Sequence, residues 1–255
     1  MGKKIHYNYL SKKGSKNKVN EDSFAVPMIE GDFKINSQQI EQKGYFFVVC
    51  DGLGGHNRGD VASSLCSKHF IEDYYAANIW ESTQEWLNNE IDRLNHNILK
   101  KSTEDEEYSN MGTTLINLLI KDDTAYINNV GDSRVYLYNG KKLEQITEDH
   151  SVVWGYYKNN LIEKDDIINQ KNKNILTQSI GVTFDTKINS YEIKLPENFI
   201  FLLCSDGLTD VTLDKEIEEI ISQSDNLETC INSLYEISQK HESKDDVTII
   251  LVSNY

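Results

Sequence analysis

Hydrophobic residues form short unbroken runs, or alternate with polar ones, in several segments that predict β-strands. The dipeptide Asn139-Gly140 between two of them indicates a tight hairpin. The predicted strands cover residues 5–10, 23–28, 45–50, 113–120, 124–130, 134–138, 142–146, 187–195, 199–204 and 247–253.

Two pairs of segments instead repeat hydrophobic residues at the spacing of an amphipathic helix. The first pair carries one row from Ala62 to Tyr74 and another from Leu87 to Ile98. The second pair spans residues 215–222 and 227–240. The polar stretch 30–43 predicts a hairpin-like excursion, and residues 152–179, rich in Asn and Lys, predict a small excursion with short helices.

The order of these elements predicts the fold class. Strands, two helices, strands, two helices and a last strand do not alternate as a doubly wound parallel sheet requires. We therefore expect an α+β fold, a four-layer α/β/β/α sandwich with two mostly antiparallel sheets flanked by pairs of helices. No repeat is visible and two prolines leave no evident linker, so residues 1–255 are predicted to form a single domain.

Composition limits the kinds of partner and the cellular compartment that we expect for this chain. The 255 residues carry a formal net charge of −15, which argues against nucleic acid or an anionic membrane as a partner. The four cysteines show no CxxC spacing and lie in apolar segments, as buried free thiols of a reducing compartment do. No apolar run has the length of a membrane span, and the first residues lack the apolar core of a signal peptide. We expect a cytoplasmic protein.

Acidic residues cluster at the ends of predicted strands. A single aspartate there is usually a turn residue, but five strand ends carry acids, and glycine adjoins three of them. They are 20–22 (Asn-Glu-Asp), Asp51-Gly52, Gly131-Asp132, Asp206-Gly207 and Asp245-Asp246. If these carboxylates converge, they repel one another strongly unless cations lie among them.

The chemistry of these residues favours a hard divalent cation. Carboxylates without a matching His or Cys set select Mg²⁺ or Mn²⁺, and the six histidines show no zinc-ligand spacing. The glycines after Asp51 match neither the dinucleotide fingerprint nor a P-loop. Two ions about 3.5–4 Å apart would activate water and hold a phosphoryl oxygen, which gives an acidic protein a positive site for phosphate.

Seven motifs together resemble the metal-dependent protein phosphatases of type 2C, the PPM family, in its bacterial branch. They occur in the family's order and cover nearly the whole chain. The motifs are NED (20–22), DGLGGH (51–56), MGTTL (111–115), VGDSR (130–134), TEDHS (147–151), CSDGL (204–208) and KDDVT (244–248). The family fold is a β-sandwich flanked by helix pairs, which agrees with the layered prediction.

The resemblance implies a site with two Mn²⁺ or Mg²⁺ ions. Asp51 would bridge the two metals and serve catalysis. Asp206 and Asp245 would complete the ligands of the first ion. Glu21 and the backbone carbonyl of Gly52 would hold the second, since glycine lets the backbone approach an ion closely.

Further roles follow from the same resemblance. Asp132 with Asp206 would form a third metal site, and Asp22 would orient metal-bound water. Residues 152–180 match the flap, a variable subdomain beside the active site. The implied enzyme is a protein serine/threonine phosphatase in which water or hydroxide between the metals attacks the phosphomonoester directly, without a phosphoenzyme.

Two positions depart from the family pattern. Asn17 stands where an arginine usually binds the substrate phosphate, so Lys16 or Lys18 would supply positive charge without the guanidinium's two-pronged geometry. Asp246 stands where asparagine is common, and either adds negative charge or caps the turn.

The departures leave two alternatives open: a regulatory pseudophosphatase on the same fold, and a phosphatase of a non-protein phosphate ester. The expected partners of a bacterial phosphatase in signalling are a phosphoprotein and a serine/threonine kinase with its targets. We expect the chain to be a monomer.

Overall fold

The computed structural model describes residues 4–27, 35–53, 58–78 and 82–255. These residues form two antiparallel sheets. Sheet I contains, in spatial order, β1 (His6–Lys12), β10 (Val247–Ser253), β9 (Ile200–Cys204), β6 (Arg134–Tyr138) and β7 (Leu143–Gln145). Sheet II contains, in the same way, β2 (Asp22–Ala25), β3 (Tyr45–Asp51), β4 (Leu115–Lys121), β5 (Thr124–Val130) and β8 (Asn189–Lys194).

Helices cover the outer faces of both sheets. Beside sheet II lie α2 (Gly59–Ala76) and α3 (Thr83–Glu104), and beside sheet I lie α6 (Asp214–Gln223) and α7 (Leu227–Lys240). The predicted α+β sandwich of four layers is therefore confirmed. No helix in the described ranges combines the length and apolar character that crossing a membrane requires.

The alternation of side chains explains why β3 is apolar throughout. Successive residues of a strand point to opposite faces, and β3 is covered on both. Phe46 and Val48 pack with the helix side, whereas Phe47 and Val49 pack in the core between the two sheets. All four side chains are fully buried. Burial on both sides gives the unbroken apolar run that the sequence shows.

The polar stretch before β3 contains a helix, so the predicted hairpin-like excursion is wrong where the structure describes it. Residues Ser37–Lys43 form α1. Asn36 Oδ1 accepts from the Gln39 N–H at 2.9 Å, and Gln39 Oε1 accepts from the Asn36 N–H at 3.1 Å. This reciprocal capping box starts the helix. A single buried residue, Ile40, gave too weak a periodic signal for a helix prediction.

The predicted flap folds over a small core of its own. It contains α4 (Val152–Lys158) and a short 3₁₀ helix, Lys164–Asn169. Val153, Trp154 and Ile167 are buried against one another. A single domain over residues 1–255 with this flap stays a prediction, supported by the continuous layers of the sandwich.

A buried ion pair links β6 to the start of the flap. The Arg134 guanidinium donates from Nε and Nη2 to the Asp149 carboxylate at 2.7–3.0 Å, and both side chains are buried. Removing one charge from such a pair leaves the other without compensation in a medium of low polarity.

We therefore expect Asp149→Asn to lower the free energy of unfolding by about 3–5 kcal/mol in denaturant titrations. The control is Glu148→Gln, because Glu148 pairs with Lys158 at a half-exposed position; it should change stability by less than about 0.5 kcal/mol. Equal effects of the two substitutions would contradict the role given to the buried pair.

Candidate active site

The strand ends that carry acids meet at one edge of the sandwich, around a cavity of about 450 Å³. All six predicted metal ligands and Lys16 line it. The lining residues are Lys16, Asn17, Glu21, Asp51, Gly52, Leu53, Thr114, Asp132, Asn174, Ile175, Leu176, Asp206 and Asp245. A larger cavity of about 560 Å³ elsewhere has only Glu41 and Asp122 as acids, so the chemistry points to the smaller one, hereafter the acidic cavity.

The backbone around Asp51 is fixed on both sides. Its N–H donates to Thr114 Oγ1 at 2.9 Å, and its carbonyl accepts from the Thr114 N–H at 2.8 Å and from Thr113 Oγ1 at 2.9 Å. Asp51 also lies directly opposite Asp22 in the pairing of β3 with β2. These bonds therefore fix the strand end from which the Asp51 carboxylate projects.

Gly52 occupies a position that admits no side chain. Its N–H donates to the Glu21 carbonyl at 3.0 Å, and a Cβ built there would lie 2.4 Å from the Gly59 carbonyl and 2.6 Å from Glu21 O. The glycine thus allows β2, β3 and the start of α2 to meet at the cavity. The remaining glycines of the motif, Gly54 and Gly55, and His56 lie outside the described residues.

Asp246 organises the loop that carries Lys16 and Asn17, a role that the sequence left open. Its carboxylate accepts from the Gly14 N–H at 2.7 Å, from Asn17 Nδ2 at 3.0 Å and from the Glu21 N–H at 2.8 Å. The aspartate therefore ties the start of β10 to the segment between β1 and β2. The Asn17 side chain is therefore part of this hydrogen-bond network.

The two predicted substrate-binding lysines differ in position. Lys16 lines the acidic cavity and its Nζ pairs with Asp245 Oδ2 at 2.9 Å, which raises the pKa of Lys16. Lys18 is exposed and does not line the cavity. Lys16 is therefore the better placed of the two to meet an anion.

Asp22 lies buried behind the cavity. Its Oδ2 accepts from Ser205 Oγ at 2.7 Å, while its Oδ1 has no hydrogen-bond partner in the described part of the chain. Burial, partly offset by the Ser205 and Thr248 hydroxyls, raises the pKa of Asp22 to about 7. A buried carboxylate oxygen without a donor is the arrangement expected of a group that binds water beside an ion.

The carboxylates raise one another's pKa. Burial raises the pKa of Asp51 well above its ordinary value, and the charges of Asp22, Asp206, Asp132 and Asp245 add to the effect. Burial and neighbouring acids act in the same way on Asp206. For Asp132, burial followed by the charges of Asp149 and Asp210 raises the pKa to about 8.

This oxygen-only donor set fits hard divalent cations, which would offset the repulsion. In the described ranges, no three His, Cys, Asp or Glu side chains already form a group that could hold one ion. The carboxylates face a common cavity, and binding would have to draw them together.

An ion pair beside the cavity joins the flap to the body and was not predicted. Lys173 Nζ donates to the Asp210 carbonyl at 2.7 Å and lies 3.3 Å from Asp210 Oδ2. Asp210 follows Asp206 by one helical turn, in α5 (Asp206–Thr209) and its C-terminal cap. Because the two partners are 37 residues apart in sequence, no local motif could have indicated the pair.

Comparisons with known proteins agree with this geometry. A family model described as "Protein phosphatase 2C" matches residues 14–247. The chain is 32% identical over 208 residues to "Serine/threonine phosphatase stp" of Listeria welshimeri, covering 80% of this chain and 82% of the relative. It is 32% identical over 214 residues to "Protein phosphatase PhpP" of Streptococcus pneumoniae, covering 81% and 84% respectively. The crystal structure of serine/threonine phosphatase Stp1 from Staphylococcus aureus superposes with a TM-score of 0.88 at 29% identity, covering 99% of this chain and 96% of that one.

The raised carboxyl pKa values predict an unusual pH dependence for protein treated with EDTA. Because Asp22 and Asp132 hold protons in the folded state at pH values where the unfolded chain has released them, stability should fall as pH rises. Between pH 6 and pH 8 we expect these two groups to lower the free energy of unfolding by about 3–4 kcal/mol.

Denaturant titrations in EDTA at both pH values measure this slope. Asp132→Asn should reduce it, whereas Asp225→Asn, at an exposed position, should leave it unchanged. Adding Mn²⁺ should stabilise the protein more at pH 8 than at pH 6, since ions compete with protons for the carboxylates. Equal or greater stability at pH 8 in EDTA would contradict the raised pKa values of Asp22 and Asp132.

Proposed function

The chain belongs to the protein phosphatase 2C family, and we propose that it uses the acidic cavity as a metal-dependent protein serine/threonine phosphatase. This membership confirms the family resemblance of the seven sequence motifs. The named relatives are bacterial serine/threonine phosphatases, which supports a phosphoprotein as the substrate. Metal dependence is general to the family.

One observation carries the proposal for the site: the six residues predicted as ligands, which come from distant parts of the chain, all line one cavity. Asp51 ends β3 and Gly52 follows it, Glu21 precedes β2, and Asp206 and Asp245 flank the adjacent ends of β9 and β10. We propose that Asp51, Asp206 and Asp245 would hold one divalent ion, and that Asp51, Glu21 and the Gly52 carbonyl would hold a second. Asp132 and Asp206 would hold a third ion.

Bound Mg²⁺ or Mn²⁺ supplies an activated water and charge stabilisation for the phosphoryl group. The chain's own residues do the positioning. Asp22 is held through Oδ2 by Ser205, and its Oδ1, which meets no donor among the described residues, would accept a hydrogen bond from water and orient it. Thr114 fixes Asp51, and Lys16 at the cavity rim places an ammonium group where a phosphate enters. These roles support direct attack of water on the phosphomonoester, without a covalent enzyme intermediate.

Several finer points rest on this proposal. The kinase that supplies the substrate would be a bacterial serine/threonine kinase, and the chain would act as a monomer in the cytoplasm. The two alternatives are a binding module without catalysis and a phosphatase of small phosphate esters. The complete set of carboxylates around the cavity favours catalysis over the binding module.

Hydrolysis of an aryl phosphate and of a phosphothreonine peptide, with and without Mn²⁺, tests the function. Wild type should hydrolyse both only with metal, and Asp206→Asn should lower kcat/KM by roughly 100-fold or more. The exposed Asp225→Asn should match wild type.

Other outcomes would support one of the two alternative functions or overturn the ligand assignment. Absence of activity on both substrates would support the binding module. Turnover of the aryl phosphate without turnover of the peptide would support the enzyme of small esters. Full activity of Asp206→Asn would overturn the ligand assignment.

Asn17→Arg tests whether a two-pronged phosphate contact is missing. Because Asn17 lines the cavity, an arginine there would reach an incoming phosphate with two parallel donors, and KM for the aryl phosphate should fall by about three- to tenfold. Asn17→Lys adds the same charge without the fork and should have a smaller effect. An unchanged KM in Asn17→Arg would contradict the idea.

A further inference from the structure

Part of the lining of the acidic cavity is apolar. Leu53, Ile175 and Leu176 line it together with the carboxylates. Ile175 is 53% exposed, among the most exposed large hydrophobic residues described. An exposed isoleucine has an unremarkable explanation in isolation, but here it borders the place where a substrate must enter.

The flap segment that carries Ile175 is fixed to the body. The Ile175 carbonyl accepts from the Val152 N–H at 2.9 Å, and the Thr177 N–H donates to the His150 carbonyl at 2.8 Å. Two residues before Ile175, Lys173 is held by Asp210 at 2.7 Å. The side chain is therefore exposed because the backbone on both sides holds it at the rim.

Val182 lies beside Leu53 and adds a further apolar side chain to this set. A Cβ built on Gly112 would lie 2.8 Å from Val182 Cγ2 and 2.9 Å from Leu53 Cδ1, so these two side chains cover Gly112 together. Val182 is 47% exposed. Short antiparallel bridges join Gly52 to Thr113 and Thr113 to Ile180, which fixes the spacing of the two segments.

A buried asparagine holds the turn that presents Val182. Asn95 of α3 is fully buried; its Oδ1 accepts from the Gly181 N–H at 2.7 Å and its Nδ2 donates to the Thr183 carbonyl at 2.8 Å. The turn therefore keeps Val182 at the surface beside Leu53. Leu53, Ile175, Leu176 and Val182 form what we call the apolar ledge.

We propose that the apolar ledge binds an apolar side chain next to the phosphorylated residue of a peptide substrate, and so selects substrates by flanking hydrophobicity. The proposal rests on the proposed phosphatase function. The ledge begins at Leu53, one residue after the predicted metal ligand Gly52. Consecutive Cα atoms of a peptide are about 3.8 Å apart, so a residue next to the phosphorylated one would reach the ledge.

The charge of the chain also favours an apolar residue over an acidic one beside the phosphorylated residue. The chain carries a formal net charge of −15, so it stays negative overall even when divalent ions offset the five carboxylates of the cavity. Asp or Glu next to the phosphorylated residue would meet this field, whereas Leu, Ile or Val would bury surface against the ledge.

The test uses phosphothreonine peptides of equal length in which one residue beside the phosphothreonine is Leu, Ala or Glu, at each of the four nearest positions. With Mn²⁺ present, kcat/KM for the Leu peptide should exceed that for the Ala peptide by about three- to tenfold at one or more positions. The Glu peptide should fall below the Ala peptide. The aryl phosphate reports the phosphatase function separately.

Two variants locate the preference. Ile175→Ser should reduce the Leu-over-Ala ratio to near one, and Val182→Ser should reduce it in part. Leu161→Ser is the matched control, because Leu161 lies in the flap and is 70% exposed but does not line the cavity; it should keep the wild-type ratio.

Three results would overturn the proposal: a ratio near one in active wild type, an unchanged ratio in both Ile175→Ser and Val182→Ser, or an equal loss in Leu161→Ser. Loss of peptide and aryl phosphate turnover in wild type would instead overturn the phosphatase function on which the proposal rests.

Discussion

Repulsion among buried carboxylates is the constraint on which this structure depends. Asp51, Asp132 and Asp206 lose solvent and face like charges, so each has a raised pKa. Such an arrangement costs stability, and the hydrogen bonds of the Asp51 backbone to Thr113 and Thr114 keep its strand end at the cavity. Cations that bind among the carboxylates would turn this cost into affinity. The clustered carboxylates thus account both for the metal binding that the family's phosphatase chemistry needs and for the lower stability of the metal-free protein.

Most of the fold follows from hydrophobic pattern. Strands covered on both faces, such as β3, appear as unbroken apolar runs, and the paired helices carry clear rows of buried residues. The order of elements then excludes a parallel sheet. Helix α1 escaped prediction because its stability comes from the Asn36–Gln39 capping box and contact through Ile40 alone. Periodicity detects broad apolar faces, and this helix has none.

The candidate site was predictable in its residues but not in its connections. Acids at strand ends, with glycines beside them, indicate which side chains converge, since neighbouring antiparallel strands bring their starts and ends to one edge. The contacts that hold them join positions far apart in sequence, as Asp246 does with Glu21 across 225 residues. The Lys173–Asp210 pair and the free oxygen of Asp22 depend on the packed structure, which no single motif encodes.

The most direct test of the central claim is a calorimetric titration of Mn²⁺ into wild type and Asp51→Asn at neutral pH. If Asp51 lies between two ions, wild type should bind about two or more ions per chain with release of protons. Asp51→Asn should lose at least one of these ions and most of the proton release. Equal binding by the two proteins, or no binding by wild type, would contradict the account.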